Sequence, residues 1–202
     1  VSSSGISGAA SNDTIGYSNT FAGVTLSLAR SGGGTANSSD GGNDGPGVTQ
    51  TVSDWHVTAA VPYVDGLTVQ YGTSSIDFAA AGENDDVYHN GHLLYSTGPV
   101  SVGYRYGTYE DGSDNSNAHE MEAYAIAFNV NDELSVSFAT QDKTYDTPAT
   151  TTNDVTETSD AINASYTMGA ITFRGTIGEA DNAGGVTATT DEHMELSMLL
   201  AF

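Results

Sequence analysis

The basic residues are the side chains of this sequence most able to act on charged solutes. There are only four of them, Arg30, Arg105, Lys143 and Arg174, against 26 acidic residues, and the formal net charge is −22. A cation among so many carboxylates can form structural salt bridges, or it can line a watered space and act on passing ions. The role of each basic residue depends on the face of its chain segment on which it lies.

Catalytic chemistry is weakly indicated. The five histidines, His56, His89, His92, His119 and His193, are scattered along the chain. The spacing of His89 and His92 places them on opposite faces of a strand. No spacing of Ser, His and Asp indicates a catalytic constellation, and we therefore expect no enzymatic activity.

Aspartates are the remaining candidates for ion binding. The stretch SDGGNDGPG resembles a calcium-binding glycine–aspartate repeat, but such repeats act as arrays and this one occurs once. We expect either no cofactor or weak binding of Ca²⁺, which prefers oxygen ligands. The alternative is that these acidic residues only keep their loops solvated. The candidates are Asp40, Asp44, Asp85, Asp86, Asp111 and Asp114.

The composition excludes several classes of function. A nucleic-acid partner is not expected, because phosphate binding needs a basic surface. The chain has no cysteine, and therefore neither a disulfide framework nor a thiolate zinc site. It has no apolar run of about 18 residues that would predict a transmembrane helix. The first residues, VSSSGISGAA, lack the charged start and apolar core of a signal peptide.

The elements that must position these side chains are β-strands, because the dominant hydrophobic period is two. In LSVSFATQ, for example, Leu134, Val136 and Phe138 alternate with serine and alanine. We predict about eleven such strands and no helix. They lie near 13–19, 24–31, 51–62, 67–76, 86–97, 99–110, 119–130, 134–145, 159–168, 171–180 and 192–202.

The second face of these strands carries Ser, Thr, Gly, Ala and Asn with very little Lys. This is typical of a curved sheet whose polar face lines a watered lumen. The alternative is a soluble β-sandwich, whose outer face usually carries many charges. Arg30 has the outward parity. By the same alternation, the lumen-facing candidates are Arg105, Arg174, Lys143, Glu195, Gln70, His56 and Asn163.

The connections between the predicted strands alternate in length. PYVDG and TGPV are short, whereas SGGGTANSSDGGNDGPGVTQ and YDTPATTTNDVTETS are long and polar. Such alternation is typical of an up-and-down outer-membrane β-barrel with short periplasmic turns and longer external loops. Of the acidic residues, only Asp65, Asp132 and Glu133 lie in the short turns. The long loops would therefore form an acidic external surface that draws cations inward.

Aromatic residues lie at both ends of the predicted strands, as expected for rings that prefer membrane–water interfaces. Tyr71, Tyr106 and Tyr109 lie nearer the long connections. The aromatic residues near the short connections are Phe21, Tyr63, Tyr95, Phe128, Tyr166 and Phe202.

Two stretches resemble a known family. SNDTIGYSNTFAGVTLSLA resembles the segment after the constriction loop in general bacterial porins of the Gram-negative outer membrane, of the alphaproteobacterial or neisserial type. Tyr17, Phe21 and Gly23 occupy the places where that segment ends a strand, turns and begins the next. The final HMELSMLLAF, which ends on Phe202, resembles the terminal strand signal of outer-membrane proteins.

The resemblance implies a fold. General porins are transmembrane antiparallel β-barrels of sixteen strands, and this chain would supply strands six to sixteen. Residues 1–202 would then form a single barrel domain that lacks its N-terminal strands, with residues 1–12 as the tail of the constriction loop. A self-contained barrel of ten or twelve strands is the alternative, because an open sheet leaves edges that hydrocarbon does not tolerate.

The resemblance also implies a function. We expect a multi-pass outer-membrane porin that passes ions and small hydrophilic solutes by passive diffusion, with a preference for cations. Its partners would be outer-membrane lipid, lipopolysaccharide and the other subunits of a homotrimer. Arg105 and Arg174 match basic wall residues that, in porins, face the acidic constriction loop. The rival class is a secreted or cell-surface β-rich calcium-binding adhesin or surface-layer module.

Overall fold

Strand pairing between sequence neighbours organises the whole molecule. The structure is a computed structural model, and it describes residues 14–35, 49–78, 85–112, 118–146 and 154–201. These residues form one eleven-stranded antiparallel sheet in which each strand pairs with the next along the chain. The strands are β1 (Thr14–Phe21), β2 (Val24–Thr35), β3 (Thr49–Ala60), β4 (Leu67–Phe78), β5 (Asp86–Thr97), β6 (Val100–Glu110), β7 (His119–Asn129), β8 (Leu134–Tyr145), β9 (Val155–Met168), β10 (Ile171–Asp181) and β11 (Thr190–Leu200).

The prediction of an all-β chain with about eleven antiparallel strands is confirmed. The expected segments 86–97 and 134–145 coincide with β5 and β8. The largest differences are at the end of β2, which continues to Thr35 rather than ending near residue 31, and at the start of β9, which begins at Val155 rather than near residue 159. The first residues of β9 pair with the end of β8, Tyr145 with Val155 and Lys143 with Glu157, so cross-strand pairing continues the strand into a polar stretch.

The consecutive ladders keep each parity on one side of the sheet. In one row, Phe138, Ile162 and Ile177 lie next to one another across β8, β9 and β10. We call the side that carries this row the outer face, and the opposite side the inner face. Along β9 every inner-face residue is half-buried and every outer-face residue is exposed, as expected for a sheet that curves around its inner face.

The outer face carries most of the apolar side chains and leaves them uncovered. Met194, Leu196 and Ile162 are 80%, 79% and 61% exposed. Among the described residues only Val52, Ile76 and Ala118 are buried hydrophobic side chains. The sheet therefore has no hydrophobic core of the kind that a soluble sandwich encloses between two layers.

The connections alternate in length, as the sequence predicts. The connections at one end of the strands are short, at 22–23, 61–66, 98–99, 130–133 and 169–170. Those at the other end span 36–48, 79–85, 111–118, 146–154 and 182–189. The first short turn has Ala22 and Gly23 at φ 51° and 82°, the left-handed geometry of tight hairpins. Within the described residues there is no helix with the length and hydropathy needed to cross a bilayer.

The sheet is not closed into a barrel, so the alternative of a self-contained barrel of ten or twelve strands is not observed in the described residues. β1 and β11 form the two edges of the sheet and do not pair with each other. In an up-and-down sheet strands of odd number run the same way, so β1 and β11 could not complete a barrel that is antiparallel throughout. The prediction that residues 1–12 are the tail of a constriction loop lies outside the described residues.

Gly66 should be required by the connection between β3 and β4. It adopts φ 82°, and an added Cβ would collide with the carbonyl oxygen of Ser96. We expect Gly66→Ala to lower the free energy of unfolding by about 2–3 kcal/mol. Gly98→Ala is the matched control, because Gly98 also has positive φ (52°) but its added Cβ meets nothing within 4 Å, and we expect about 1 kcal/mol there.

Urea unfolding followed by the fluorescence of Trp55, the single tryptophan, measures both variants. Equal losses for Gly66→Ala and Gly98→Ala would contradict the steric argument.

Candidate functional site on the inner face

The residues that the sequence places on the polar face all lie on the inner face. The ladders assign Arg105 next to His92, Gln70 next to Thr58, and Asn163 next to Thr176. The full set is Arg105, Arg174, Lys143, Glu195, Gln70, His56 and Asn163. They are spread over the height of the sheet, and their role as pore-lining residues stays a prediction.

Arg105 is the most tightly held of these cations. It is half-buried, and with the Asn90 amide oxygen turned towards it, that oxygen accepts from Nη2 at 2.9 Å and from Nε at 2.8 Å. Gly107 lies opposite Asn90 and is buried. A Cβ added at Gly107 would approach the Asn90 amide at 3.2 Å, so glycine leaves room for the amide that orients the guanidinium.

A cavity of about 270 Å³ opens on the inner face beside Arg105. Its apolar floor forms because small residues pair across successive strands, and its polar rim comes from β5, β6, β8 and β9. The Nε2 atom of His92 is buried and has no hydrogen-bond partner among the described residues. The floor is Gly103, Ala123, Ala125, Ala139 and Ala161, and the rim is His92, Arg105, Gln141 and Ser159.

An aromatic row crosses the inner face near the long connections. The rings of Tyr88 and Tyr109 stack with centroids 4.4 Å apart. The ring centroids of Tyr109 and His119 are 5.3 Å apart, and those of His119 and Tyr145 are 6.0 Å apart. The Lys143 ammonium lies 4.5 Å from the centre of the Tyr145 ring. The row joins β5 to β8 through side chains in addition to the backbone ladder.

Carboxylates accept hydrogen bonds along this row. Asp86 is buried and accepts from the Tyr109 hydroxyl at 3.0 Å and from the Gly112 amide at 2.9 Å. Glu157 accepts from the Tyr145 hydroxyl at 3.1 Å and from the Gly184 amide at 2.7 Å. The hydrogen bond from Gly184 to Glu157 joins the 182–189 connection to the inner face of β9. This connection contains a short 3₁₀ turn (Ala183–Gly185).

The inner face nearer the short turns is polar and open. Asn163 accepts a hydrogen bond from the Thr176 hydroxyl at 2.8 Å. Glu195 lies 3.7 Å from His193 in an exposed contact. Arg174 is exposed and, among the described residues, makes no ion pair.

Tyrosine–carboxylate pairs lie at the edge of the apolar region on the outer face that is nearer the long connections. Glu122 accepts from the Tyr104 hydroxyl at 2.8 Å and from the Tyr124 hydroxyl at 2.7 Å. Glu120 accepts from the Tyr106 hydroxyl at 3.2 Å. Each ring points its polar atom away from the apolar side chains below it, as amphipathic rings do at a boundary between apolar and wet surroundings.

The aromatic residues predicted near the short turns are exposed there. Phe21 and Tyr63 are 84% and 104% exposed, and Tyr95, Phe128 and Tyr166 are exposed on the outer face; Phe202 lies outside the described residues. The placement of Tyr109 in the opposite aromatic belt is wrong. Tyr109 is three residues from Tyr106, so its ring lies on the inner face and stacks on Tyr88.

The proposed calcium ligands are only partly described. Asp85 is exposed, while Asp86 and Asp111 are buried; Asp40, Asp44 and Asp114 lie outside the described residues. In the described ranges no three His, Cys, Asp or Glu side chains come together in a group able to hold a metal ion. His89 and His92 lie on opposite faces, as their spacing predicts.

No known protein family matches this chain, and no curated protein is significantly similar to it in sequence. A functional assignment therefore depends on the geometry of the two faces.

Sequence reasoning missed the contacts between neighbouring strands. The Asn90–Arg105 pair and the Tyr88–Tyr109 stack both require the register of β5 and β6. Parity alone would have found the face of Tyr109. The small-residue floor of the cavity is visible in the sequence as alternate alanines in AYAIAF, but only pairing with Ala139 and Ala161 makes it a depression.

The buried Asp86 should depend on the Tyr109 hydroxyl. Tyr109→Phe removes one of two donors and keeps the ring stack, so we expect the free energy of unfolding to fall by about 1–3 kcal/mol. Tyr95→Phe is the control, because Tyr95 lies on the outer face and its hydroxyl has no partner among the described residues.

Urea unfolding of both variants tests this. A loss for Tyr109→Phe no larger than that for Tyr95→Phe would show that the hydrogen bond to Asp86 contributes nothing.

Proposed function

We propose that this chain forms the wall of a water-filled channel in a bacterial outer membrane, which ions and small hydrophilic solutes cross by passive diffusion with a preference for cations. The observation that carries the proposal is the division of one sheet into an uncovered apolar outer face and a polar inner face. Lipid would cover the first face and water the second.

The size of the apolar outer face supports a lipid contact. Its alternating side chains, such as Met194 to Leu200 on β11, extend about 20 Å along a strand at about 3.3 Å per residue. Over eleven strands spaced about 4.8 Å apart, the apolar area is about 1,000 Å². Soluble monomers rarely expose an apolar patch beyond about 300–600 Å².

The aromatic residues at the two edges of this apolar region also support a membrane contact. Membrane barrels carry an apolar band about 25 Å tall, flanked by aromatic girdles. Here Tyr104, Tyr106 and Tyr124 direct their hydroxyls to carboxylates at the edge of the band, and Phe128 and Tyr166 lie at the other edge. Together the two aromatic levels would place the head groups of both leaflets.

The edges of the sheet need partners in a bilayer, because hydrocarbon cannot satisfy free backbone donors and acceptors. We propose that further strands complete the barrel between β1 and β11, and that three such barrels assemble as a homotrimer in contact with lipid and lipopolysaccharide. The resemblance to general porins supports this arrangement.

Charge supports the cation preference. The formal net charge is −22, but on the inner face Asp54, Asp86, Glu157 and Glu195 are nearly balanced by Arg105, Lys143 and Arg174. The carboxylates of the long connections would therefore supply most of the field that attracts cations and repels anions at the mouth of the channel.

A lysine on the outer face should prevent membrane insertion, whereas one on the inner face should not. Ile126→Lys places a charge between Val102 and Phe138, and we expect a cost of about 2–4 kcal/mol in lipid. Ala127→Lys, on the adjacent inner-face position, is the matched control. Folding into lipid vesicles, followed by protease protection, measures both.

If the wild-type chain and Ile126→Lys were equally well folded in buffer without detergent or lipid, and chelation of Ca²⁺ unfolded them, the surface-adhesin alternative would replace the channel.

Ion preference should depend on inner-face carboxylates. Glu195→Gln removes an inner-face charge, so we expect the reversal potential in a KCl gradient to move towards zero. Glu179→Gln removes a charge from the outer face and should leave the reversal potential nearly unchanged. Single-channel recording in planar bilayers measures both, and identical shifts would contradict the assignment of the two faces.

A further inference from the structure

We propose that the cavity beside Arg105 binds the carboxylate group of small solutes with a short apolar tail, and so gives a cation-preferring channel a passage site for one class of anion. The inference rests on the proposed function to the extent that solutes reach the inner face through the channel. Three observations about the cavity carry it.

The first observation is the unpaired charge of Arg105. Its guanidinium is half-buried and makes no ion pair within the described part of the chain, although the chain has 26 acidic residues. Asn90 offers it a neutral oxygen only. A partly desolvated cation gains most from an anion that can lie against it.

The second observation is the geometry that Asn90 imposes. Its oxygen accepts from Nε and Nη2, which form one edge of the guanidinium. An arginine has five N–H donors in a planar fork, so the edge made by Nη1 and Nη2 still has donors for both oxygens of a carboxylate. Because Gly107 has no Cβ, the Asn90 amide has room to lie where it contacts the Arg105 guanidinium. This contact sets the direction of the guanidinium.

The third observation is the cavity itself. Its volume of about 270 Å³ equals about nine water molecules at about 30 Å³ each, which suits a small solute. The floor of alanine and glycine would contact a short alkyl chain. Gln141 and His92, whose Nε2 has no described partner, offer polar contacts at the rim.

The residues beside Arg105 on the neighbouring strands narrow the chemical class of the ligand. The ladder places His92 and Ala123 beside Arg105, and Gln141 beside Ala123. None of these is acidic. Asp160 also lines the cavity, but its parity places its side chain on the outer face, so it does not compete for the guanidinium. A monocarboxylate with a short tail matches one cation above an apolar floor better than a dianion or a sugar does.

Butyrate is the probe that tests the site. Saturation-transfer NMR on the full chain in detergent micelles measures its binding, with n-butanol as the neutral analogue. We expect butyrate to bind wild-type protein, and Arg105→Gln to weaken binding about tenfold or more. Ala139→Leu keeps the charge but fills the floor, and we expect a similar loss. Arg174→Gln, which removes an exposed inner-face arginine outside the cavity, should bind butyrate as wild type does.

The same variants in planar bilayers separate this inference from the channel. We expect butyrate to reduce the potassium conductance of wild type and Arg174→Gln, but not that of Arg105→Gln or Ala139→Leu. Channels that conduct while butyrate binds wild type and Arg105→Gln equally would overturn the carboxylate site and leave the channel standing. Binding that is lost in Arg105→Gln, without any conductance from wild type, would overturn the channel and leave the site standing. Absence of butyrate binding to wild type would overturn the site. This is the result expected if an acidic side chain of the same chain already pairs with Arg105.

Discussion

Backbone hydrogen bonding between consecutive strands is the interaction on which the rest of the structure depends. Each ladder fixes the register of one hairpin, and because every strand pairs with its sequence neighbour, one parity is carried from β1 to β11. A slip of one residue in any ladder would exchange the faces of every strand beyond it. Two different surfaces on a single sheet are therefore a consequence of register, and the functional proposals depend on both.

The sheet lacks the packing that usually stabilises a β-domain. Val52, Ile76 and Ala118 are the buried hydrophobic residues of the described ranges, and they do not make a core. The ladders and the aromatic contacts of the inner face hold the strands in order, but they do not cover the outer face. Apolar contact for the outer face is absent from the described strands, and in the proposed channel a bilayer would supply it along the whole width of that face.

The sequence was sufficient for the elements and their faces because a period of two needs no tertiary information. It placed Met194, Leu196 and Leu200 on one face and Glu195 on the other, as observed. It was insufficient where neighbours on different strands decide the outcome. The Asn90–Arg105 pair and the Tyr88–Tyr109 stack both depend on the register of β5 and β6, whereas the face of Tyr109 follows from parity alone.

Site-directed spin labelling along β9 tests the division into two faces most directly. The chain has no cysteine, so single cysteines at positions 155–168 can be labelled without background and the protein reconstituted in lipid vesicles. We predict that labels at Ile162, Ala164 and Met168 are accessible to oxygen dissolved in lipid, and that labels at Asn163, Ser165 and Thr167 are accessible to a water-soluble relaxation agent. Accessibility to the water-soluble agent at all of these positions, without a period of two, would contradict the account.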